Sequence, residues 1–374
     1  MHRFLIVAVL SLLLGSHAAR ADEGRVYFGT YTKAGGSEGI YTAGFDEGSG
    51  KFGEPLLAAK VASPSFLTIA PSGKTLYAVS ETGGAEGGRV TAFRILASGL
   101  LEKLNYQSSG GDGPCHVSLS SDGKTLAVAN YGGGSVASYR IGEDGALSAP
   151  VSVIQHTGSS VDPKRQKEPH AHSINFSPDG RFAYAADLGT DRIYLYAVDP
   201  ATSALKRAGE TVITPGSGPR HFSFRPDGQF AYVINEMTLK VNAFRVDAAS
   251  GALTEVQSLS TLPEGTDPVG STAEVVAHPS GKFLYGSNRG HDTLVVYAID
   301  GATGQLTWVE NEPIRGKTPR NFVVSPDGKW LLAAGQQSDS VTVFAIDART
   351  GALEFADSQI KISSPVCIRF LTKF

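Results

Sequence analysis

The fold is decided by the stretch GSGPRHFSFRPDGQFAYVINE, residues 216–236. It contains an apolar run, an Arg-Pro-Asp-Gly turn and a second, alternating run. A closely similar stretch, GKTPRNFVVSPDGKWLLAAGQQ, occupies residues 316–337. A third run follows, such as KVNAFRVD (240–247), and then a Gly-Ala-Leu turn leads into a weaker fourth run. Four strands per unit at a period of roughly 40–50 residues are typical of a β-propeller.

This unit recurs along the chain. Its first strand can be recognised as SPSFLTIAPSG (63–73), GPCHVSLSSDG (113–123), HAHSINFSPDG (170–180), GPRHFSFRPDG (218–228), STAEVVAHPSG (271–281) and TPRNFVVSPDG (318–328). A seventh first strand, SPVCIRFL (364–371), stands near the C-terminus. The second and third strands that would complete it are found near the N-terminus, as RVYFGTYT (25–32) and GIYTAGFD (39–46).

These copies predict an all-β protein, a seven-bladed β-propeller with four-stranded antiparallel blades. The C-terminal strand is expected to pair with the N-terminal strands and to close the ring. Such closure hides the strand edges that an open array would expose. An open β-solenoid is disfavoured because its rungs lack this long four-strand period.

The N-terminus has the pattern of a signal peptide. Arg3 precedes an apolar stretch, residues 4–14, and Ala19-Arg20-Ala21 offers small residues for cleavage. A membrane anchor is disfavoured, since a span needs roughly 20 apolar residues. We therefore expect a signal peptide at 1–21, a single propeller domain at 22–374, and an exported, periplasmic or secreted protein. No integral membrane segment is expected in the mature chain.

Composition narrows the classes of partner. A net charge of −3 with 18% charged residues gives no basic stripe for nucleic acid.

The two cysteines, Cys115 and Cys367, fall in blades separated by a complete blade. A disulfide needs Cα atoms within about 7 Å, so two free, buried thiols are expected. The sequence does not define an oligomeric state.

The strand order also predicts where a site would lie. In an up-and-down blade the start of the first strand and the end of the second share one face, and the Pro-Asp-Gly turns lie on the other. Those turns are explained by turn chemistry alone.

Polar residues at the starts of first strands are His116, His170, His172, Arg220, His221, Glu274 and Arg320. Those at the ends of second strands are Asn130, Asp187, Asn235, Glu236, Asn288, Arg289 and Gln336. Two long loops, 154–169 and 260–273, enter on this face too. Charges of both signs around a channel mouth suggest a small anionic ligand.

The chain from about 25 to 371 resembles the lactonase family of seven-bladed propellers, which includes the propeller-type 6-phosphogluconolactonase and a fungal carboxy-muconate cyclase. The resemblance rests on HSINFSPDG, GPRHFSFRPDG, YVINE, LYGSNR, TPRNF and AAGQ, which occur in the family's order. It implies an active centre of His172, Arg220, Glu236 and Arg289, without a cofactor.

Each of these four residues has a functional interpretation and a simpler, structural one. Glu236, among apolar blade ends, could keep a near-neutral pKa and act as a general base, or it could only pair with an arginine. His172 is the other candidate base, or a structural histidine. Arg220 and Arg289 suit carboxylate or phosphate binding, or the oxyanion formed when water attacks a lactone carbonyl. Surface salt bridges are the alternative for both.

A second group of residues is predicted to bind substrate: Arg320, Glu274, His116, His221, Gln336 and Asn130. His170 and His172 are two residues apart and could bind zinc together, but no third ligand has suitable spacing, so no metal is predicted. No G-x-S-x-G elbow on a strand-to-helix turn is predicted, which leaves covalent serine catalysis unsupported.

Three functions remain open at this point. The first is metal-free hydrolysis of a sugar lactone, with a small lactone or sugar acid as ligand. Because phosphogluconolactone is a cytosolic metabolite, export favours an unphosphorylated aldonolactone. The second is reversible lactonisation of a muconate-like diacid, and the third is a non-catalytic propeller that binds a sugar acid or a protein.

Overall fold

The computed structural model describes residues 23–32, 36–84 and 87–371. The predicted signal peptide, 1–21, lies outside the described residues. The described residues form 29 strands in seven antiparallel sheets and no α-helix. Among them, no helix has the length and hydropathy that a membrane crossing requires. The predicted seven-bladed propeller is confirmed.

Six blades are built from four consecutive strands each. Blade 1 contains β5 (Leu67–Ile69), β6 (Thr75–Ser80), β7 (Arg89–Ile95) and β8 (Leu101–Ser108). Blade 2 contains β9 (Pro114–Leu119), β10 (Thr125–Asn130), β11 (Ser135–Ile141) and β12 (Leu147–Gln155). Blade 3 contains β13 (Ala171–Phe176), β14 (Phe182–Asp187), β15 (Arg192–Val198) and β16 (Leu205–Val212). Blade 4 contains β17 (Pro219–Phe224), β18 (Phe230–Asn235), β19 (Lys240–Val246) and β20 (Leu253–Ser260). Blade 5 contains β21 (Ser271–Ala277), β22 (Phe283–Arg289), β23 (Thr293–Ile299) and β24 (Leu306–Pro313). Blade 6 contains β25 (Pro319–Val324), β26 (Trp330–Gly335), β27 (Ser340–Ile346) and β28 (Leu353–Lys361).

The seventh blade joins the two ends of the chain. It contains β29 (Pro365–Leu371), β1 (Glu23–Thr30), β2 (Gly39–Asp46), and an outer edge split into β3 (Lys51–Phe52) and β4 (Leu56–Lys60). Strand β29 pairs with β1 in antiparallel register, with Tyr27 opposite Arg369 and Phe28 opposite Ile368. Each blade's first strand contacts the first strands of both neighbouring blades, and β29 contacts β5, so the ring closes.

The core lies between the blades. Second strands such as FAYVIN in β18 are buried along their whole length because both of their faces are covered by neighbouring strands. Phe230 and Tyr232 of blade 4, for example, pack with Val295 and Tyr297 of blade 5. Burial of these apolar surfaces is the main force that holds adjacent blades together.

A repeated hydrogen bond links successive blades. The Tyr232 hydroxyl of blade 4 donates to the carbonyl oxygen of Gly304 in blade 5, at 3.2 Å. The equivalent pairs are Tyr27 with Gly99, Tyr77 with Gly145, Tyr184 with Gly251, and Tyr285 with Gly351. The glycine of each Gly-Ala-Leu-type corner therefore belongs to the architecture.

The Pro-Asp-Gly turns behave as predicted. Ser177 Oγ donates to Asp179 Oδ1 at 2.6 Å and accepts from the Phe182 amide at 3.0 Å. Gly180 has a φ of 71°, a left-handed conformation that glycine adopts without strain. These turns stand at the far ends of the strands from the residues described next.

Candidate active site

A β-bulge at the start of the first strand aims one side chain per blade into the central channel. In blade 4, Pro219 pairs with Asn235 and His221 with Ile234, which leaves Arg220 as the extra residue. Bulges of this kind redirect side chains and are frequent beside active sites. The equivalent positions in the seven blades are Ser65, Cys115, His172, Arg220, Ala273, Arg320 and Val366. We call this set the bulge ring.

A second ring comes from the ends of the second strands. One residue at the end of each of these strands, or directly after it, lies at the same channel mouth. These residues are Tyr31, Glu81, Tyr131, Leu188, Glu236, Arg289 and Gln336, and we call them the exit ring. Members of both rings, among them Tyr31, Glu81, His172, Arg220 and Arg320, line a narrow pocket, and Glu236 and Arg289 lie outside its lining.

Glu236 is held by three guanidinium groups. Its Oε2 accepts from Arg220 Nε and lies next to Arg289 Nη2, both at 3.0 Å, and its Oε1 accepts from Arg165 Nη2 at 2.8 Å. Burial alone would raise the pKa of this carboxyl, but Arg289, Arg220 and Arg165 overcome that effect and lower the pKa to about 2. The expectation of a near-neutral pKa is therefore wrong, because the neighbours of Glu236 are cationic rather than apolar.

The two predicted arginines are fixed by the backbone of blade 5 as well. Arg220 Nη1 donates to the Ala273 carbonyl at 2.6 Å, and Arg289 Nη2 donates to the Thr272 carbonyl at 2.7 Å. Burial and the nearby Arg220 lower the pKa of Arg289 to about 10, so both remain cations at neutral pH. Arg289 Nε is buried and has no hydrogen-bond partner among the described residues. This arrangement leaves guanidinium donors available to a ligand.

His172 lies beside the carboxylate. Its Nε2 is 3.8 Å from Glu236 Oε2, and its Nδ1 is 3.6 Å from Cys115 Sγ. Burial, followed by the positive charge of Arg220, holds the pKa of this imidazole well below 6.5. His172 is consequently neutral at physiological pH, the form that can accept a proton.

Three of the predicted substrate-binding residues form a buried layer beneath the pocket. Glu274 Oε1 accepts from His221 Nδ1 at 2.8 Å, while Oε2 accepts from the Asn321 amide. His116 stacks on Phe66 with ring centroids 4.2 Å apart. Of the three, only His221 lines the pocket. Glu274 and His116 are held by contacts within the protein, and the ligand contacts predicted for them stay predictions.

Asn130 and Gln336 lie outside the pocket. Asn130 is fully buried, and its amide nitrogen donates to Ser109 O at 2.9 Å and Ser135 Oγ at 3.0 Å. These bonds tie Asn130 to the loop before blade 2 and to the start of β11, and its predicted role toward substrate stays a prediction. Gln336 belongs to the exit ring, but it does not line the pocket and its side chain has no hydrogen bond to a described residue.

The structure adds pocket residues that the sequence did not reveal. Arg320 was predicted, and it donates through Nη2 to Tyr31 Oη at 2.9 Å. Tyr31 in turn donates to Glu81 Oε2 at 2.9 Å. Tyr31 and Glu81 are exit-ring residues, so strict alignment of the second-strand ends could have found both.

Arg165 is the other addition, and it comes from the long loop before blade 3. Its Nη2 reaches both Glu236 and the Tyr131 hydroxyl. The loop is anchored by Gln166, whose buried amide donates to Leu188 O at 2.8 Å. No sequence signal marks Arg165 beyond the face on which its loop enters.

The two histidines considered for zinc are used separately. His170 stacks on Tyr131 at 4.5 Å and its Nδ1 lies 2.9 Å from the Tyr131 carbonyl, whereas His172 faces Cys115 and Glu236. Within the described ranges, no three His, Cys, Asp or Glu side chains are grouped as metal ligands. Cys115 and Cys367 are both free and buried, as predicted.

Comparison with known proteins agrees with this architecture. The family model described as lactonase, 7-bladed beta-propeller, matches residues 25–370. A 6-phosphogluconolactonase of Bacillus subtilis is 36% identical over 92% of this chain and 97% of its own length. A 6-phosphogluconolactonase of Formosa agariphila is 32% identical over 80% of this chain and 86% of its own length. A solved periplasmic gluconolactonase of Pseudomonas aeruginosa is 38% identical, covers 94% of this chain and 99% of its own, and superposes with a TM-score of 0.88. The chain therefore belongs to the lactonase family of seven-bladed β-propellers.

Proposed function

We propose that this protein hydrolyses a sugar lactone, and that the reaction takes place at the channel mouth formed by the bulge and exit rings. One observation carries the proposal: a neutral imidazole, His172, stands beside a carboxylate that three guanidinium groups hold in the ionised state. A site with fixed cationic donors and a nearby proton acceptor suits the addition of water to a carbonyl.

Arg220 and Arg289 are assigned to the lactone carbonyl. Both are fixed by Glu236 and by backbone carbonyls, so they are oriented before the substrate arrives. Negative charge develops on the carbonyl oxygen as water adds, and preorganised donors stabilise that charge at little cost in reorganisation. Glu236 serves chiefly to orient the two guanidiniums, because a carboxylate with a pKa of about 2 is a weak base.

His172 is assigned as the general base. It takes a proton from water while the water oxygen forms a bond to the carbonyl carbon. The tetrahedral intermediate then breaks its ring C–O bond, and the imidazolium returns the proton to the leaving oxygen, which gives the open sugar acid. The cations that lower the pKa of His172 are offset by the developing oxyanion, so its proton affinity rises as the reaction proceeds. The Glu236 carboxylate at 3.8 Å stabilises the imidazolium.

We further propose that the protein is exported and that its substrate is an unphosphorylated aldonolactone. Two observations support this: the signal-peptide pattern at residues 1–21, and the 38% identity to a protein named as a periplasmic gluconolactonase.

The test is an initial-rate assay of the purified mature chain on glucono-lactone and on its 6-phosphate, against the spontaneous rate. We expect acceleration of at least one lactone, and a loss of about 100-fold or more in kcat/KM for Glu236→Gln, which frees three guanidiniums from their fixed geometry. Glu102→Gln is the matched control, because Glu102 is an exposed glutamate paired with Arg94 on the rim of blade 1. A wild-type chain that accelerates no lactone, or a Glu236→Gln chain as active as the control, would contradict the proposal.

A further inference from the structure

The channel mouth formed by the bulge and exit rings has two sides with different chemistry. The residues assigned to the reaction, His172, Arg220, Glu236 and Arg289, come from blades 3 to 5. The other side is a hydrogen-bonded arc that crosses three successive blades: Arg320 of blade 6, Tyr31 of the shared blade and Glu81 of blade 1. The lactone carbonyl chemistry described above leaves this arc without a role.

Two carboxylates at the channel mouth occupy equivalent positions. Glu81 and Glu236 are the exit-ring residues of blades 1 and 4, which are three blades apart, the greatest separation in a ring of seven. Both carboxylate oxygens of Glu236 are in contact with guanidinium groups, three in all. Glu81 accepts one hydrogen bond, on Oε2 from Tyr31, and its Oε1 has no hydrogen bond to any described residue. Glu81 therefore presents an unpaired acceptor to the pocket that it lines.

Tyr31 holds the arc together. Its hydroxyl donates to Glu81 and accepts from Arg320, and the guanidinium carbon of Arg320 lies 5.2 Å from the centre of the Tyr31 ring. Burial raises the pKa of Tyr31, so the phenol stays protonated and continues to donate. Arg320 makes no other hydrogen bond to the described residues, which leaves donors beside the free oxygen of Glu81.

We propose that Glu81 is a specificity-determining residue that accepts a hydroxyl of a neutral polyhydroxylated lactone and disfavours a phosphorylated one. This rests on the proposed lactonase function. A carboxylate can accept from a sugar hydroxyl but has no proton to offer a phosphate, and Arg320 can donate to the ring oxygens beside it. A phosphate group carries a charge of about −1.5 to −2 at neutral pH, so its approach to the Glu81 carboxylate is repulsive. Tyr31 is a positioning residue that fixes Glu81 and Arg320.

The experiment measures kcat/KM for glucono-lactone and for its 6-phosphate with the wild-type chain, Glu81→Gln, Tyr31→Phe and the control Glu102→Gln. Glutamine keeps the shape and an acceptor oxygen but removes the charge. We expect the wild-type chain to prefer the neutral lactone, and Glu81→Gln to reduce that preference by about 10- to 100-fold, the change expected when a charge-assisted hydrogen bond is lost. Tyr31→Phe keeps the negative charge of Glu81, so it should lower kcat/KM for both lactones while the preference for the neutral lactone remains. Glu102→Gln should change neither the rates nor the preference.

Two results would overturn the role of Glu81: a preference that Glu81→Gln leaves within twofold of the wild type, or one that Tyr31→Phe alters as strongly as Glu81→Gln does. A wild-type chain that opens neither lactone would instead overturn the proposed function. The two failures are therefore distinguishable, since the first requires an active wild-type enzyme.

Discussion

At the scale of single residues, the neighbours of Glu236 determine what it can do. Three guanidiniums keep it ionised and make it an anchor for the arginines rather than a strong base. Burial, followed by the positive charge of Arg220, keeps His172 neutral. Two side chains that both looked like candidate bases are thus given different roles by their surroundings.

The thiol of Cys115 lies 3.6 Å from His172 Nδ1, which raises the question of a covalent mechanism. Burial raises its pKa well above the usual value, and the Sγ–H donates to the His172 carbonyl at 3.3 Å. A protonated, hydrogen-bonded thiol is a poor nucleophile. We therefore expect Cys115→Ala to keep kcat within about threefold of the wild type and to lose stability by roughly 1–2 kcal/mol from the small cavity. A loss of activity comparable to that of Glu236→Gln, in the same rate assay, would contradict this expectation.

Buried histidines should make the fold sensitive to mild acid. Burial lowers the pKa of His221 to about 4, although Glu274 opposes the change, and the pKa values of His116 and His172 also fall well below 6.5. Between pH 6.5 and 4 the unfolded chain binds protons at these sites that the folded chain does not bind. Stability should therefore be fully present above pH 6.5 and fall as the pH drops, by about 1.4 kcal/mol per pH unit for each such histidine.

Urea unfolding at pH 8, 6.5, 5 and 4 measures this directly. A free energy of unfolding that stays constant from pH 6.5 to 4 would show that these histidines are not held neutral by the fold.

At the scale of the element, the bulge in each first strand positions the site residues, and the glycine of the outer turn determines how neighbouring blades pack. The bulge at the start of each first strand turns a residue such as Arg220 toward the channel. At the outer corner, Gly304 has a φ of 73° and lies directly against Phe230, where an added Cβ would stand 2.1 Å from ring carbon Cδ1. Phe230 is fully buried and has no room to move.

Gly304→Ala should therefore destabilise the protein by about 1–3 kcal/mol through overpacking and backbone strain. Gly301→Ala in the same turn is the matched control, since a Cβ there meets no atom within 4 Å. Thermal unfolding of the two variants provides the comparison. Equal melting temperatures would refute the assigned role of the corner glycine.

Sequence repeats predicted the elements well and the site in part. The blade number, the shared blade and the Pro-Asp-Gly turns followed from patterns that occur in every copy. Asn130 lies away from the pocket because, like its equivalents Asn235 and Asn288, it is buried and its amide nitrogen bonds to the protein, so this amide belongs to the repeat. Glu81 and Tyr31 were missed because their blades lack the motifs that mark blade 4. The bulges depend on backbone pairing, which residue types alone do not reveal.

At the scale of the whole molecule, closure of the ring depends on β29. This strand pairs with β1 and packs against the first strands of blades 1 and 6. A chain that ends after Ser364 would expose the edge of β1 and open the core cluster that Val26 and Phe28 share with Ile368. We expect that truncated chain to aggregate or to lose its cooperative unfolding transition, because an exposed strand edge is a template for pairing with other chains. Size-exclusion chromatography and thermal denaturation of the full and truncated chains check this. A monomeric truncated chain with the full-length melting temperature would contradict the need for closure.

The central claim is that the site formed by His172, Glu236 and the arginines at the channel mouth hydrolyses lactones, with His172 as the base. The most direct measurement is the kcat of glucono-lactone hydrolysis at pH 7 for the wild type and His172→Gln, with matched melting temperatures. We predict a wild-type rate well above spontaneous opening, and a kcat lower by about 10²- to 10⁴-fold in the variant with little change in KM. A His172→Gln chain that retains the wild-type kcat would contradict the account.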